Sequence, residues 1–252
     1  MGHKSVALGF MAGFTGDDIA ELMKNFGCGV DLIRVRNGFS RINVKLKSGE
    51  ETEINGRGPL ITAGDIEKLY EKLDLLSSGD ILVISGSVPG SLPRDVYERI
   101  MKRLAGKGIR IVVDAEKDLL VGTLHSRPWL VKPNEHELGE IYGVTLRTQE
   151  EVIPYAKKLQ EEGSENVLIS MAGEGAVFIS ENGEVFRSPA PKGTLVNSVG
   201  AGDSMVAGFI SGYLETGDFR EAFRMGIAAG SASAFSPDLA VRSEVEALLQ
   251  TF

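Results

Sequence analysis

The chain predicts an α/β fold in which a mostly parallel sheet is sandwiched by helices and carries a small β flap. Short apolar runs alternate with amphipathic stretches along nearly the whole length. The runs from Ile81 onward, apart from the last, are continuous rather than alternating, as strands buried on both faces require. One segment, 28–58, breaks this rhythm with polar and apolar residues in alternation.

The elements follow in order. Residues 6–10 form a first apolar run, and 17–25 have helical spacing. Within 28–58, Arg41-Ile42-Asn43-Val44-Lys45-Leu46 alternates, and after Ser48-Gly49 comes a second extended run at 51–55. Together they read as a half-exposed hairpin, a flap or lid. Helical patterns at 63–76 and 94–105 flank an apolar run at 81–84. Further runs at 109–113, 129–131, 167–169 and 176–179 are separated by helical patterns at 135–142 and 149–161. Three helices at 201–215, 220–235 and 244–249 close the chain. No linker or repeat divides it, so the expectation is a single domain over 1–252, with 28–58 contributing lid strands.

With 42% hydrophobic residues, the 252-residue chain can bury the core of one large α/β domain. A formal net charge of −8 argues against nucleic acid as the main partner and requires any anion site to be a local basic patch. The single cysteine, Cys28, excludes an intrachain disulfide and a cysteine-cluster metal site. There is no run of about 18 apolar residues to suggest a membrane span. The opening residues lack a signal-peptide core, and Val6 stands where a myristoylation motif needs Ser or Thr. A cytoplasmic protein is the simplest expectation.

In an open parallel sheet, ligands bind beyond the C-terminal ends of the strands. The residues that follow the runs are Ser85-Gly86-Ser87, Asp114, Lys132-Pro133-Asn134 and Ser170, all small or polar. Gly200-Ala201-Gly202-Asp203 then opens a helix. A helix N-terminus offers unpaired N–H groups and the positive end of the dipole, which suits a phosphoryl group, and glycine lets the backbone close on it. A carboxylate there would repel a phosphate, and makes sense where Asp203 orients or deprotonates an attacking hydroxyl. An N-cap role for Asp203 fits the tetrad equally well.

Asn134 and Glu137 share one face of a first helical turn, where Glu137 could hold Mg2+ directly or through water. The same spacing is that of an N-cap with its capping-box Glu, which the residues alone favour. Arg41, Asn43 and Lys45 point from one face of the flap strand, two cations and an amide that could grip a phosphorylated sugar or simply face solvent. Gly173-Glu174-Gly175 lacks the third glycine of a dinucleotide fingerprint and reads as a turn. No P-loop motif and no protein-kinase motif is present.

Three segments together resemble the ribokinase-type (PfkB) family of sugar kinases. These are Asn197-Ser198-Val199-Gly200-Ala201-Gly202-Asp203-Ser204, Lys132-Pro133-Asn134-Glu135-His136-Glu137 and Ala228-Ala229-Gly230-Ser231-Ala232-Ser233-Ala234. Within the family, 41–45, 50–56, Ser85-Gly86-Ser87-Val88-Pro89 and 196–209 are similar to the branch acting on fructose 1-phosphate. The resemblance implies a three-layer α/β/α kinase domain with a β lid. It implies transfer of the ATP γ-phosphoryl to the 6-hydroxyl of fructose 1-phosphate, with Mg2+. Asp203 would be the base and Ala201–Asp203 the anion hole, with Gly200, Ala201 and Gly202 counted beside Asp203 as catalytic. Lys132, Asn134, Glu137, Ser170, Gly173, Gly175, Ser198, Gly230 and Ser233 would serve the nucleotide. Arg41, Asn43 and Lys45 would hold the sugar phosphate, and a homodimer through the lid would follow. Tagatose 6-phosphate and fructose 6-phosphate are alternative acceptors. The family also has a Gly-Gly-Lys-Gly segment and a further lid strand ahead of the first run here, and neither occurs in this sequence. That departure leaves a catalytically weak ATP-binding remnant as the competing reading.

Overall fold

The computed structural model describes residues 2–48 and 50–252; the side chains of residues 45–53 lie outside the description. In chain order it runs β1 (Val6–Met11), α1 (Gly13–Asn25), β2 (Gly29–Arg34), β3 (Asn43–Ser48), β4 (Glu50–Asn55) and α2 (Ala63–Asp74). Next come β5 (Ile81–Ser85), α3 (Val96–Leu104), β6 (Arg110–Asp114), α4 (Lys117–Leu124), β7 (Leu130–Val131), α5 (Glu135–Tyr142) and α6 (Gln149–Glu161). The last are β8 (Asn166–Ser170), β9 (Ala176–Ile179), β10 (Val185–Ser188), α7 (Ala201–Thr216), α8 (Phe219–Phe235) and α9 (Arg242–Leu249). The chain divides into two compact units. One holds Ile81–Gly86 and Arg110–Phe252, and the other Lys4–Asp80 and Ser87–Ile109.

The first unit is built on a six-stranded sheet in the order β10-β9-β8-β7-β6-β5. Strands β5 to β8 run parallel, while β9 and β10 are antiparallel additions at one edge. Its two faces are both apolar, which explains the continuous runs. Val112, Leu130, Leu168 and Phe178 meet Val206, Phe209, Phe223 and Ile227 of α7 and α8. The alternate residues Val113, Val131, Val167, Ile169, Val177 and Ile179 are equally buried. On that side α6 packs on β8 and β9, and α4 on β6.

The second unit holds two small sheets. Strand β1 pairs in parallel with β2, and β3 pairs antiparallel with β4, Val44 opposite Ile54. Gly29–Arg34 is therefore no part of the hairpin expected within 28–58, whose antiparallel strands are Asn43–Ser48 and Glu50–Asn55. The reason lies in the charges of β2. Asp31 is paired with Lys72 of α2 at 2.5 Å and Arg34 with Asp17 of α1, so the charged residues of this half-exposed strand are partnered by helices. Besides β2, two elements have no counterpart in the sequence reading, α4 and the edge strand β10. Helix α4 begins at Lys117 in a left-handed conformation (φ 43°), and β10 is a four-residue strand that returns from β9 through Gly183 (φ 78°). Neither carries a sustained periodicity.

Helices α7 and α8 touch backbone to backbone along a glycine seam. A Cβ on Gly208 would lie 2.5 Å from the Met225 carbonyl oxygen and 2.6 Å from Ala229 Cβ. One on Gly212 would lie 2.8 Å from Ala222 Cα. In an exposed helix Gly→Ala adds about 1 kcal/mol of stability. Gly208→Ala should have the opposite sign, costing about 1–3 kcal/mol through overpacking. Urea unfolding measures this directly, and a gain in stability would refute the close seam.

Candidate active site

The site lies in the first unit, where the parallel strands end. Val113 of β6 is in register with Val131 of β7, so the next residues, Asp114 and Lys132, emerge side by side. The Lys132 N–H donates to the Val113 carbonyl at 3.1 Å. Lys132 is buried, and its Nζ lies 3.1 Å from Asp114 Oδ1. Burial pushes the Asp114 carboxyl above its ordinary value despite the pull of Lys132, and the charge of Asp203 adds to the rise. A parallel bridge between Asn134 and Ser170 extends this row of strand ends to β8.

Asn134 and Glu137 form a reciprocal cap on α5. Asn134 Oδ1 accepts from the Glu137 N–H, and Glu137 Oε2 accepts from the Asn134 N–H, each at 2.8 Å. The capping reading of this pair is therefore what the geometry shows. It leaves Glu137 Oε1 uncommitted to the cap. Burial raises the Glu137 carboxyl, partly offset by that backbone N–H and by Lys132.

Helix α7 opens onto the same place. Gly200 is its N-cap in the left-handed region (φ 79°), and a Cβ there would lie 2.6 Å from Leu239. The Ala201 N–H is spent on the Ser198 carbonyl at 3.2 Å. Of the three N–H groups expected to form an anion hole, Ala201 to Asp203, those of Gly202 and Asp203 have no acceptor among the described residues. A Cβ on Gly202 would lie 3.2 Å from Lys132 Nζ, so the buried ammonium reaches the first turn of α7. A cation there stands at the unfavourable end of the helix dipole. Asp114 offsets that cost. The Asp203 side chain is exposed and forms no hydrogen bond or ion pair among the described residues.

The other expected nucleotide residues divide into two groups. Gly230 and Ser233 are scaffold rather than lining. A Cβ on Gly230 would lie 3.1 Å from the Ala201 carbonyl oxygen. Buried Ser233 donates to Ser204 Oγ at 2.8 Å and accepts from the Ala240 N–H at 3.1 Å. Gly175 (φ 88°) is also structural, since a Cβ there would lie 2.0 Å from the Ser188 carbonyl oxygen. Ser170 is half-buried, and Gly173 and Ser198 are exposed. Two residues outside the expected set shape the site. Asp114 appears in the sequence as one of several polar strand ends, and in Asp114-Ala115-Glu116 as a departure from what the family usually has after the aspartate. Asn197 donates to the Pro237 carbonyl at 3.0 Å and accepts from the Val199 N–H at 3.2 Å, tying the loop before α7 to the loop after α8.

Arg41, Asn43 and Lys45 belong to the second unit. Arg41 precedes β3 and is exposed, and Asn43 opens the strand opposite Asn55. The backbone of Lys45 pairs with Glu53, and its side chain lies outside the described residues. A groove of about 430 Å³ lined by Arg127, Gln160, Glu161 and Glu181 opens at the other end of β8, away from Ser170, and gathers none of these groups.

This arrangement can bind a polyanion beside a free carboxylate. The chain is 46% identical over 245 residues to a 1-phosphofructokinase of Bacillus subtilis, covering 97% of this chain and 80% of that protein. It is 36% identical over 248 residues to a D-tagatose-1-phosphate kinase of Bacillus licheniformis, covering 98% and 81%. It superposes with a TM-score of 0.91 on phosphofructokinase-2 of Escherichia coli, solved in complex with substrates and products, at 25% identity and with 99% and 82% covered. Residues 1–244 match the profile described as pfkB family carbohydrate kinase, and the chain belongs to that family of α/β sugar kinases.

Proposed function

We propose that the protein transfers the γ-phosphoryl group of ATP to the 6-hydroxyl of fructose 1-phosphate, yielding ADP and fructose 1,6-bisphosphate. The observation that carries this reading is the buried Lys132 ammonium at the N-terminus of α7, one residue away from the unpartnered Asp203 carboxylate. The relative from B. subtilis supports the acceptor.

In this reading Lys132 and the Gly202 and Asp203 N–H groups receive the charge of the transferring phosphoryl group. Asp203 accepts the proton of the 6-hydroxyl as its oxygen bonds to phosphorus and the bond to ADP breaks. A loose transition state lets that proton leave late, so a well-placed weak base suffices. Ser170, Gly173 and Ser198 lie along the nucleotide, while Gly175, Gly230 and Ser233 support the loops beside it. Arg41, Asn43 and Lys45 bind the 1-phosphate.

The donor set fits a nucleotide-borne Mg2+. No group of three or more His, Cys, Asp or Glu among the described residues could hold an ion by itself, and Glu137 Oε1 is a hard oxygen free of the cap. Glu137 would hold the ion directly or through water, and the ion would neutralise phosphate charge. A homodimer through the lid belongs to the same reading, supported by the exposed apolar residues Ile42, Val44 and Ile54 on the β3–β4 hairpin. The unpartnered Asp203 supports an enzyme over an ATP-binding remnant. The D-tagatose-1-phosphate kinase relative favours tagatose 1-phosphate as a second acceptor.

The test is ADP production with ATP and Mg2+, using fructose 1-phosphate, fructose 6-phosphate and the tagatose phosphates in parallel. Highest kcat/KM on fructose 1-phosphate, with activity abolished by EDTA, is expected. No turnover on any of them overturns the reading. Asp203→Asn should lower kcat by at least about 100-fold while ATP binding, measured by calorimetry, persists. Near-normal kcat would remove Asp203 from the base role. Arg41→Ala should raise KM for the sugar phosphate about 10-fold or more, the loss of one charge-assisted contact, and leave KM for ATP unchanged. Equal effects on both substrates would place Arg41 elsewhere.

A further inference from the structure

The Lys132–Asp114 pair has a feature that phosphate binding does not require. A lysine meant only to meet a polyanion gains nothing from a carboxylate 3.1 Å away, which adds repulsion to the incoming charge. Burying such a pair also carries a desolvation cost that the attraction between the partners does not reliably recover. Yet both groups are largely withdrawn from solvent, with side chains 7% and 17% exposed. Their placement is set by the backbone, because Val113 and Val131 are in register and the Lys132 N–H is bonded to the Val113 carbonyl.

We infer that Asp114 is a positioning residue, whose carboxylate fixes the Lys132 ammonium against Gly202 and keeps it from pairing with the other carboxylates of the site. The inference rests on the kinase reading above. A lysine side chain has four methylenes and several rotamers, so a fixed partner is needed to hold its charge at one point. Two other carboxylates lie nearby. Asp203 follows Gly202 directly, and Glu137 feels the charge of Lys132. An ammonium that swung to Asp203 would occupy the group that must accept the hydroxyl proton. Asp114 holds it at the phosphoryl side instead and leaves Asp203 unpartnered, as the structure shows.

The test is a double-mutant cycle of Asp114→Asn and Lys132→Met in the full chain, read as kcat and KM on the best acceptor. Asp114→Asn alone should lower kcat about 10–100-fold, the range seen when an outer partner of a site group is removed. KM for ATP should stay within about twofold or fall, since a repulsive charge is gone. In the Lys132→Met background the same change should alter kcat by less than about threefold, because its target is absent. An equal loss in both backgrounds, or a rise in KM for ATP at unchanged kcat, overturns the inference. Should Asp114→Asn leave the buried ammonium unpaired and the protein unfolded, Asp114→Glu carries the test. It keeps the charge and displaces it by one methylene, so kcat should fall at an unchanged melting temperature, and wild-type kcat would overturn the inference. Absence of turnover in the unmutated protein overturns the kinase reading itself. Turnover with additive effects overturns only the role of Asp114.

Discussion

The contact between α7 and α8 is the constraint on which the site depends. Gly208 and Gly212 on one helix lie against Gly226, Ala222 and Ala229 on the other, at distances that admit no further side-chain atom. The closeness continues to the first turn of α7, where Gly230 faces the Ala201 carbonyl oxygen and Ser233 reaches Ser204. Lateral movement of α7 is blocked on one side by α8 and on the other by the sheet, through Phe209 against Phe178. The N–H groups of Gly202 and Asp203 inherit that fixed position.

Electrostatics act within this frame. The chain carries net negative charge, yet one ammonium, held by the Asp114 carboxylate, and one helix terminus meet at a single point with little solvent between them. In such a setting a short-range field outweighs the overall charge, because buried interactions are screened far less than those across the surface. The overall charge of the chain therefore matters less here than the placing of these few groups.

Much of this was legible in the sequence, for identifiable reasons. Strands β6 to β8 are buried on both faces, so they appear as unbroken apolar runs such as Ile111-Val112-Val113, whereas the apolar run of β5 leaves Val83 exposed. The helices at 135–142 and 149–161 begin with Asn and Thr caps whose boxes the structure forms. Strand β2 was hidden because the partners of Asp31 and Arg34 come from helices elsewhere in the chain. For the site, Gly200–Asp203 announced itself by composition, whereas the value of Asp114 depends on a strand register that no local pattern encodes. Ser233 and Gly230 were recognised as special but not why, since a helix contact and a ligand contact both select small residues.

The glycine seam has an entropic side. Its backbone-to-backbone stretches contain no rotamers, so there is little there left to freeze when a ligand arrives, and binding energy is not diverted into ordering the helix that receives it. The ordering was completed during folding, when each of those glycines gave up more backbone freedom than any other residue would have. Readiness at the first turn of α7 is in this sense stored in the helix behind it, as disorder already surrendered.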